Sequence, residues 1–191
     1  MHDGHGLYHD AVAAIDENGE TAGFYRAVHL PQIPGWEGKF YFAPGDEYPL
    51  FRLAGMPVGF LICWDAFFPE AFRSLALKGA RAVVVLTSAS GENEDLWQRS
   101  LSAQAFFNGL YVIRVNRVGE EEQTAFSGRS FAAAPTGDLL GDPMGDVEGV
   151  AFFDIDRRAV ELTRREFPFL KDRRPRTYLD IAGLSIKPES E

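Results

Sequence analysis

At 191 residues, with 46% hydrophobic and 25% charged residues, the chain has the make-up of one soluble globular domain. A chain of this size buries about 70% of its unfolded surface, enough for a real core. A net charge of -9 and an isoelectric point near 5.0 speak against nucleic acid or an anionic membrane surface as partner, because phosphate binding draws on clustered Lys and Arg and only four lysines are present. No apolar run reaches the roughly 18 to 20 residues that span a bilayer, and the first twenty residues hold no signal-peptide core. The single cysteine excludes an internal disulfide and fits a reducing compartment, so the chain reads as cytoplasmic.

Residues 8 to 28 read as a hairpin: the apolar run AVAAI, turn residues Asp16, Asn18 and Gly19, then TAGFYRAV as the second strand. Residues 29 to 48 carry Pro31, Pro34, Pro44, Gly35, Gly38 and Gly45 among several aromatics, which predicts a loop with its own packing. A short strand at Leu50 to Leu53 and a turn at Gly55 to Pro57 lead into VGFLIC. There Val58, Phe60 and Ile62 point one way and Gly59, Leu61 and Cys63 the other. Cys63 thus ends a strand, and a helix begins at Pro69, whose missing N-H suits a first helical position, and closes at Gly79. RAVVVLTSA (81 to 89) is a continuous apolar run that fits a buried strand. Asn93, Glu94 and Asp95 open a long helix ending at Gly109, and YVIRVNRV is the next strand. Strand, helix, strand, helix, strand with short links predicts parallel pairing with right-handed crossovers. Beyond it come an acidic loop, GEEEQ (119 to 123), a strand around Arg129 to Ala134, a Pro-Thr-Gly turn and a last strand at Val150 to Asp154. A charged surface helix follows at 156 to 167, and then a Pro- and Arg-rich extended tail at 168 to 191.

A side chain at the bend after Leu61 to Cys63 stands over a sheet edge, beside backbone N-H groups free to bind a developing oxyanion, as at the nucleophile elbow of other hydrolases. The competing reading of Cys63 is a small buried hydrophobe. The stretches GFYRAVHLP (23 to 31), KFYFAPGD (39 to 46), LICWD (61 to 65), FPEAFR (68 to 73), NRVG (116 to 119) and SGRS (127 to 130) together resemble, in order, blocks of the carbon-nitrogen hydrolase (nitrilase) family, nearest its amidase and carbamoyl-amine hydrolase branches. The resemblance implies an α/β fold, the nitrilase-like α-β-β-α sandwich, here lacking the first strand-helix-strand portion, over one domain at 1–191. It also implies a homo-oligomer, a small-molecule amide or nitrile substrate, and chemistry without metal or organic cofactor.

That chemistry uses a cysteine, a lysine and a glutamate. A thiol of pKa near 8.5 is only a few per cent thiolate at pH 7, so a base must take its proton and a cation must steady the anionic adduct. Cys63 matches the nucleophile, and the Trp64 backbone N-H would serve the oxyanion. The lysine position of the block Tyr-Arg-Lys-x-His is occupied by Ala27. Arg26 is adjacent but points to the opposite strand face. His29, two residues on, is either a pocket residue or a structural one. Glu37 stands one place earlier than the family's second glutamate and either reaches the site across its loop or stays a solvated carboxylate. Lys39 points to solvent. Asp65, Glu70 and Arg73 match groups that hold the elbow, and Asn116 and Ser130 match blocks that pack against the site. Trp97, Phe106 and Phe107 suit a core or a subunit interface. The family's first catalytic carboxylate precedes the hairpin. Either the reading frame starts late, or a partner chain supplies that layer, or the protein does not do the chemistry. Two functions stay open: an amidase-type hydrolase working through a Cys63 acyl-enzyme, and a non-catalytic member kept for binding or assembly.

Overall fold

The computed structural model describes residues 1–4, 6–91, 93–122 and 124–183. β1 (Ala11–Ile15) and β2 (Thr21–Arg26) form the expected antiparallel hairpin. Its turn is fixed by Asp16, whose Oδ1 accepts from the Asn18 and Glu20 N-H groups at 2.8 and 2.9 Å, and by Gly19 at φ 81°. The Pro- and Gly-rich stretch after it is a loop holding one four-residue helix, α1 (Gly38–Tyr41).

The centre of the molecule is a five-stranded sheet in the order β3-β4-β5-β6-β9. It comprises β3 (Phe51–Leu53), β4 (Met56–Ile62), β5 (Ala82–Thr87), β6 (Tyr111–Asn116) and β9 (Phe131–Ala133). β4, β5 and β6 run parallel, as the alternation of strands and helices requires, while β3 and β9 are antiparallel edges. The crossovers are α2 (Pro69–Leu77) and α3 (Glu94–Asn108), and Gly109 ends α3 in the left-handed region at φ 54°. Asn93 takes the N-cap position of α3, but its side chain makes no capping bond.

Phe72 and Leu75 of α2, Leu101 and Ala105 of α3, and Val83 and Val85 of β5 are wholly buried. Each of the larger side chains among them contributes about 1.5 to 3 kcal/mol of burial. Gly59 is what lets α2 sit this close: a Cβ there would meet the Leu75 methyls at 2.6 and 2.7 Å. The β1/β2 hairpin touches β4 and β3, giving the expected second layer of strands.

Three expectations need correction. The acidic stretch GEEEQ is largely a hairpin rather than a loop: β7 (Val118–Glu121) pairs with β8 (Thr124–Ser127), the charges lying on an exposed ribbon that tolerates them. Gln123 lies outside the described residues. Val150 to Asp154 is not a strand. The segment alternates, with Ala151, Phe153 and Ile155 half-buried and Phe152 92% exposed, but no described strand offers it a ladder. The period-2 pattern is present and the pairing is not. In the tail, α4 (Arg157–Glu166) is the expected charged helix, capped by Asp156 and anchored by the buried Val160 and Thr163. After it the chain forms a 3-10 turn at Pro175–Tyr178 and a short helix, α5 (Leu179–Gly183), where an extended tail is expected; 184–191 lie outside the described residues. Among the described residues no helix is long and apolar enough to cross a membrane.

Candidate active site

Cys63 follows the last residue of β4 and opens a 3-10 turn, Cys63–Phe67, that runs into α2. Its φ is 39°, a left-handed conformation that a non-glycine residue holds at a strain of order 1 to 3 kcal/mol only where its surroundings over-determine it. The surroundings are built on Asp65, which is completely buried. Its Oδ2 accepts from the Tyr25 hydroxyl at 2.6 Å and the Ile62 N-H at 3.2 Å. Its Oδ1 accepts from the His29 N-H at 2.8 Å and lies 3.1 Å from His29 Nδ1. One carboxylate therefore ties the elbow to the second strand layer. Burial, then the Asp65 charge, pushes the Tyr25 phenol far above its ordinary pKa, so it remains a donor.

The elbow opens into a cavity of about 720 Å³, within the range of small-molecule sites. Cys63, Trp64, His29, Glu37 and Ala27 all line it, so the structure brings together every site residue expected from the sequence. They differ in what they can do. His29 is pinned: its Nδ1 is shared between Asp65 and the Tyr48 hydroxyl (3.3 Å), and its ring stacks on Phe68 at 3.5 Å with a 5° tilt. Glu37 is exposed, and its Oε1 accepts from the Gly35 N-H at 2.9 Å. Ala27 presents a methyl group between two backbone bonds, its N-H donating to the Asp10 carbonyl at 2.9 Å and its carbonyl accepting from Gly45 at 2.7 Å. Arg26 faces the other way and lines a separate, smaller cavity with Asp46 and Glu47. Lys39 is exposed.

The floor is a polar network under the parallel strands. Asn116 Oδ1 accepts from Thr87 Oγ1 at 2.7 Å and the Ala89 N-H at 2.9 Å, and its Nδ2 donates to the Ala89 and Gly128 carbonyls. Ser130 Oγ accepts from the Asn116 N-H at 2.9 Å, so both residues are scaffold, as the sequence blocks imply. Arg114, wholly buried in β6, donates to Thr87 Oγ1 at 3.2 Å, pairs with Glu94 at the start of α3, and lies 4.7 Å over the Trp97 ring.

Three contributors escaped the sequence reading. Asp10, just before β1, lines the cavity with Cys63, a juxtaposition that no local pattern encodes. The Ser88 backbone, after β5, lowers the pKa of the Cys63 thiol. The Arg114–Glu94 pair had a signal: a lone arginine inside the apolar run YVIRVN must find a buried anion. The thiol responds to the sum. Burial raises its pKa above the ordinary value. The Ser88 backbone and the Glu94-paired Arg114 lower it, while Asp10 and Asp65 raise it. Asp10 is itself raised, by burial and then by Asp65, with the Met1 ammonium opposing. Among the described residues no group of three or more His, Cys, Asp or Glu side chains is placed to hold a metal ion.

Comparison with known proteins identifies this architecture. N-carbamoylputrescine amidase of Solanum tuberosum is 36% identical over 190 residues, an alignment covering 90% of this chain and 62% of that protein. A carbon-nitrogen hydrolase from Helicobacter pylori G27 superposes with a TM-score of 0.87 at 34% identity over 92% of this chain and 66% of its own. A variant of the amidase from Nesterenkonia sp. AN1 superposes with a TM-score of 0.75 at 30% identity over 88% of this chain and 59% of its own; it carries the acetamide moiety of fluoroacetamide covalently on its active-site cysteine. The chain spans 62% of the length of the plant amidases it matches. With the carbon-nitrogen hydrolase family model matching residues 2–165 as well, the chain belongs to the carbon-nitrogen hydrolase family.

Proposed function

We propose that this protein is an amidase-type hydrolase that cleaves the C-N bond of a small non-peptide amide or carbamoyl amine through a thioester at Cys63. The observation that carries this reading is a cysteine held in a strained left-handed conformation at the mouth of a cavity of small-molecule size. The potato relative's name, N-carbamoylputrescine amidase, supports a carbamoyl amine as substrate. In the proposed cycle the Cys63 thiolate attacks the carbonyl carbon and the oxyanion takes the Trp64 N-H. The C-N bond then breaks with a proton passing to the leaving amine, and water hydrolyses the thioester to return acid and thiol.

In the 191-residue chain the thiol rests unactivated. Burial raises its pKa, Ala27 offers no ammonium group, and Glu37 is solvated. Loss of one member of a catalytic unit commonly removes several orders of magnitude, so neutral amides should turn over at background. Ala27 also favours the second reading, a non-catalytic member acting as a binding or assembly module. The chain is further proposed to form one domain with a terminal tail, to reside in the cytoplasm and to self-associate. Phe107, Phe167 and Phe169 support self-association, being 37 to 49% exposed around Phe106. Ammonia release from a panel of neutral amides and carbamoyl amines is the test. Release above background that vanishes in Cys63→Ala would establish the hydrolase and overturn its resting inactivity; background in the chain but release on Ala27→Lys would support both parts.

A further inference from the structure

The central sheet is covered unequally. Strands of a parallel sheet are ordinarily packed on both faces, and on one face Val83, Val85 and Val112 are wholly buried. On the other, Ile113 is only half-buried and Val115 is 46% exposed, and both line a groove of about 850 Å³. The groove shares Val115, Asn116 and Arg117 with the Cys63 cavity.

The segment from Val147 to Ile155 also lines this groove. Its Ala151, Phe153 and Ile155 are half-buried, and Glu148, Val150, Phe152 and Asp154 alternate with them, exposed. Among the described residues no backbone group from Val147 to Ile155 makes a hydrogen bond. A row of free N-H and C=O groups with a side-chain period of two is the template for an added strand. A helix, which satisfies its own backbone, would leave those groups as they are; an extended chain laid alongside completes them.

Charge decides whose strand it is. In a second copy, antiparallel pairing of the segment with its twin centred on Val150 sets Asp146 opposite Asp154. Centred on Ala151 it sets Glu148 opposite Asp154, and centred on Phe152 Glu148 opposite Asp156. Like charges directly opposite are destabilising, and the chain as a whole carries a net charge of -9. We propose that the groove takes up an extended segment of a different polypeptide as an added β-strand along residues 147 to 155, its apolar side chains at alternate positions turned toward Ile113 and Val115, and Lys or Arg at the intervening ones beside Glu148 and Asp154.

The test uses the whole chain and fluorescein-labelled, end-blocked peptides of about seven residues, the length of a mid-sized strand. One alternates Val and Lys, a second holds the same residues with the lysines grouped, a third alternates Val and Glu, and a fourth has Pro at the centre of the first. By anisotropy at fixed ionic strength the alternating Val-Lys peptide should bind about tenfold more tightly than each of the others, the effect of two cross-strand charge pairs together with an intact ladder. Hydrogen exchange should slow at residues 147 to 155 when it binds. Glu148→Lys with Asp154→Lys should reverse the preference between the Val-Lys and Val-Glu peptides, and Phe152→Pro should weaken the Val-Lys peptide about tenfold. All three positions are exposed, so these chains are expected to fold. Equal binding of the grouped peptide, an unreversed preference in the charge-swapped chain, protection confined to other residues, or protection of 147 to 155 on self-association alone would overturn the proposal. Should a variant fail to fold, the four peptides and the exchange map on the parent chain decide alone.

Discussion

The two walls of the Cys63 cavity are built to different standards. On the elbow side Asp65 accepts bonds from three elements, and Cys63 is held in a conformation that only such bracing sustains. On the facing side Ala27 offers a methyl group, Glu37 sits in solvent, and Asp10 carries a half-buried carboxylate whose pKa burial raises. Presentation of a nucleophile and activation of it are thus separate structural tasks, and on the proposed reading this chain performs the first without the second. Substitutions on the elbow side should act on stability, and those on the facing side on the reactivity of one sulfur.

The largest effect is expected at Asp65→Ala, which leaves the Tyr25 hydroxyl and the Ile62 and His29 N-H groups buried without acceptor. A loss of about 3 kcal/mol or more is expected, read from the urea midpoint. Gly59→Ala comes next: its Cβ would collide with Leu75, and overpacking of this kind removes about 1 to 3 kcal/mol. If either change left stability intact while altering thiol reactivity, the division between the walls would fail. Ala27→Lys should lower the pH midpoint of Cys63 alkylation by about 1 to 3 units, the usual influence of an adjacent opposite charge.

Asp10→Asn should give a small gain in stability whose pH dependence fixes its cause. The folded-state pKa of Asp10 lies above its unfolded value, so the protonated carboxyl is the form that folding favours. Its stabilisation is fully present below the ordinary carboxylate range and is lost as pH rises through the raised pKa. The Asn variant should therefore match the parent in acid and exceed it at neutral pH, as measured by Tm against pH. Glu37→Gln should shift stability by no more than about 0.5 kcal/mol, the level of an exposed surface change.

Much of the elbow side was readable in the sequence because its determinants are local. The alternation of VGFLIC, the Pro69 helix start and the apolar run of β5 fix a strand, a bend and a parallel neighbour within one stretch. The period of two along β2 sends Arg26 away from the cavity; the strand ends there, and Ala27 and His29 reach the cavity from the bend that follows. Asp10 was not readable, because it meets Cys63 only after the hairpin folds back onto the central sheet. Val150 to Asp154 shows the converse. Its alternation is strand-like, but a strand is defined by its partner, and no described strand lies beside it.

The central claim, a presented but unactivated nucleophile, is tested most directly by the pH profile of Cys63 alkylation in the 191-residue chain. With burial as the leading influence on the thiol, the account predicts a midpoint at or above the free-thiol value of about 8.5. A midpoint well below 7 in the parent chain would contradict it.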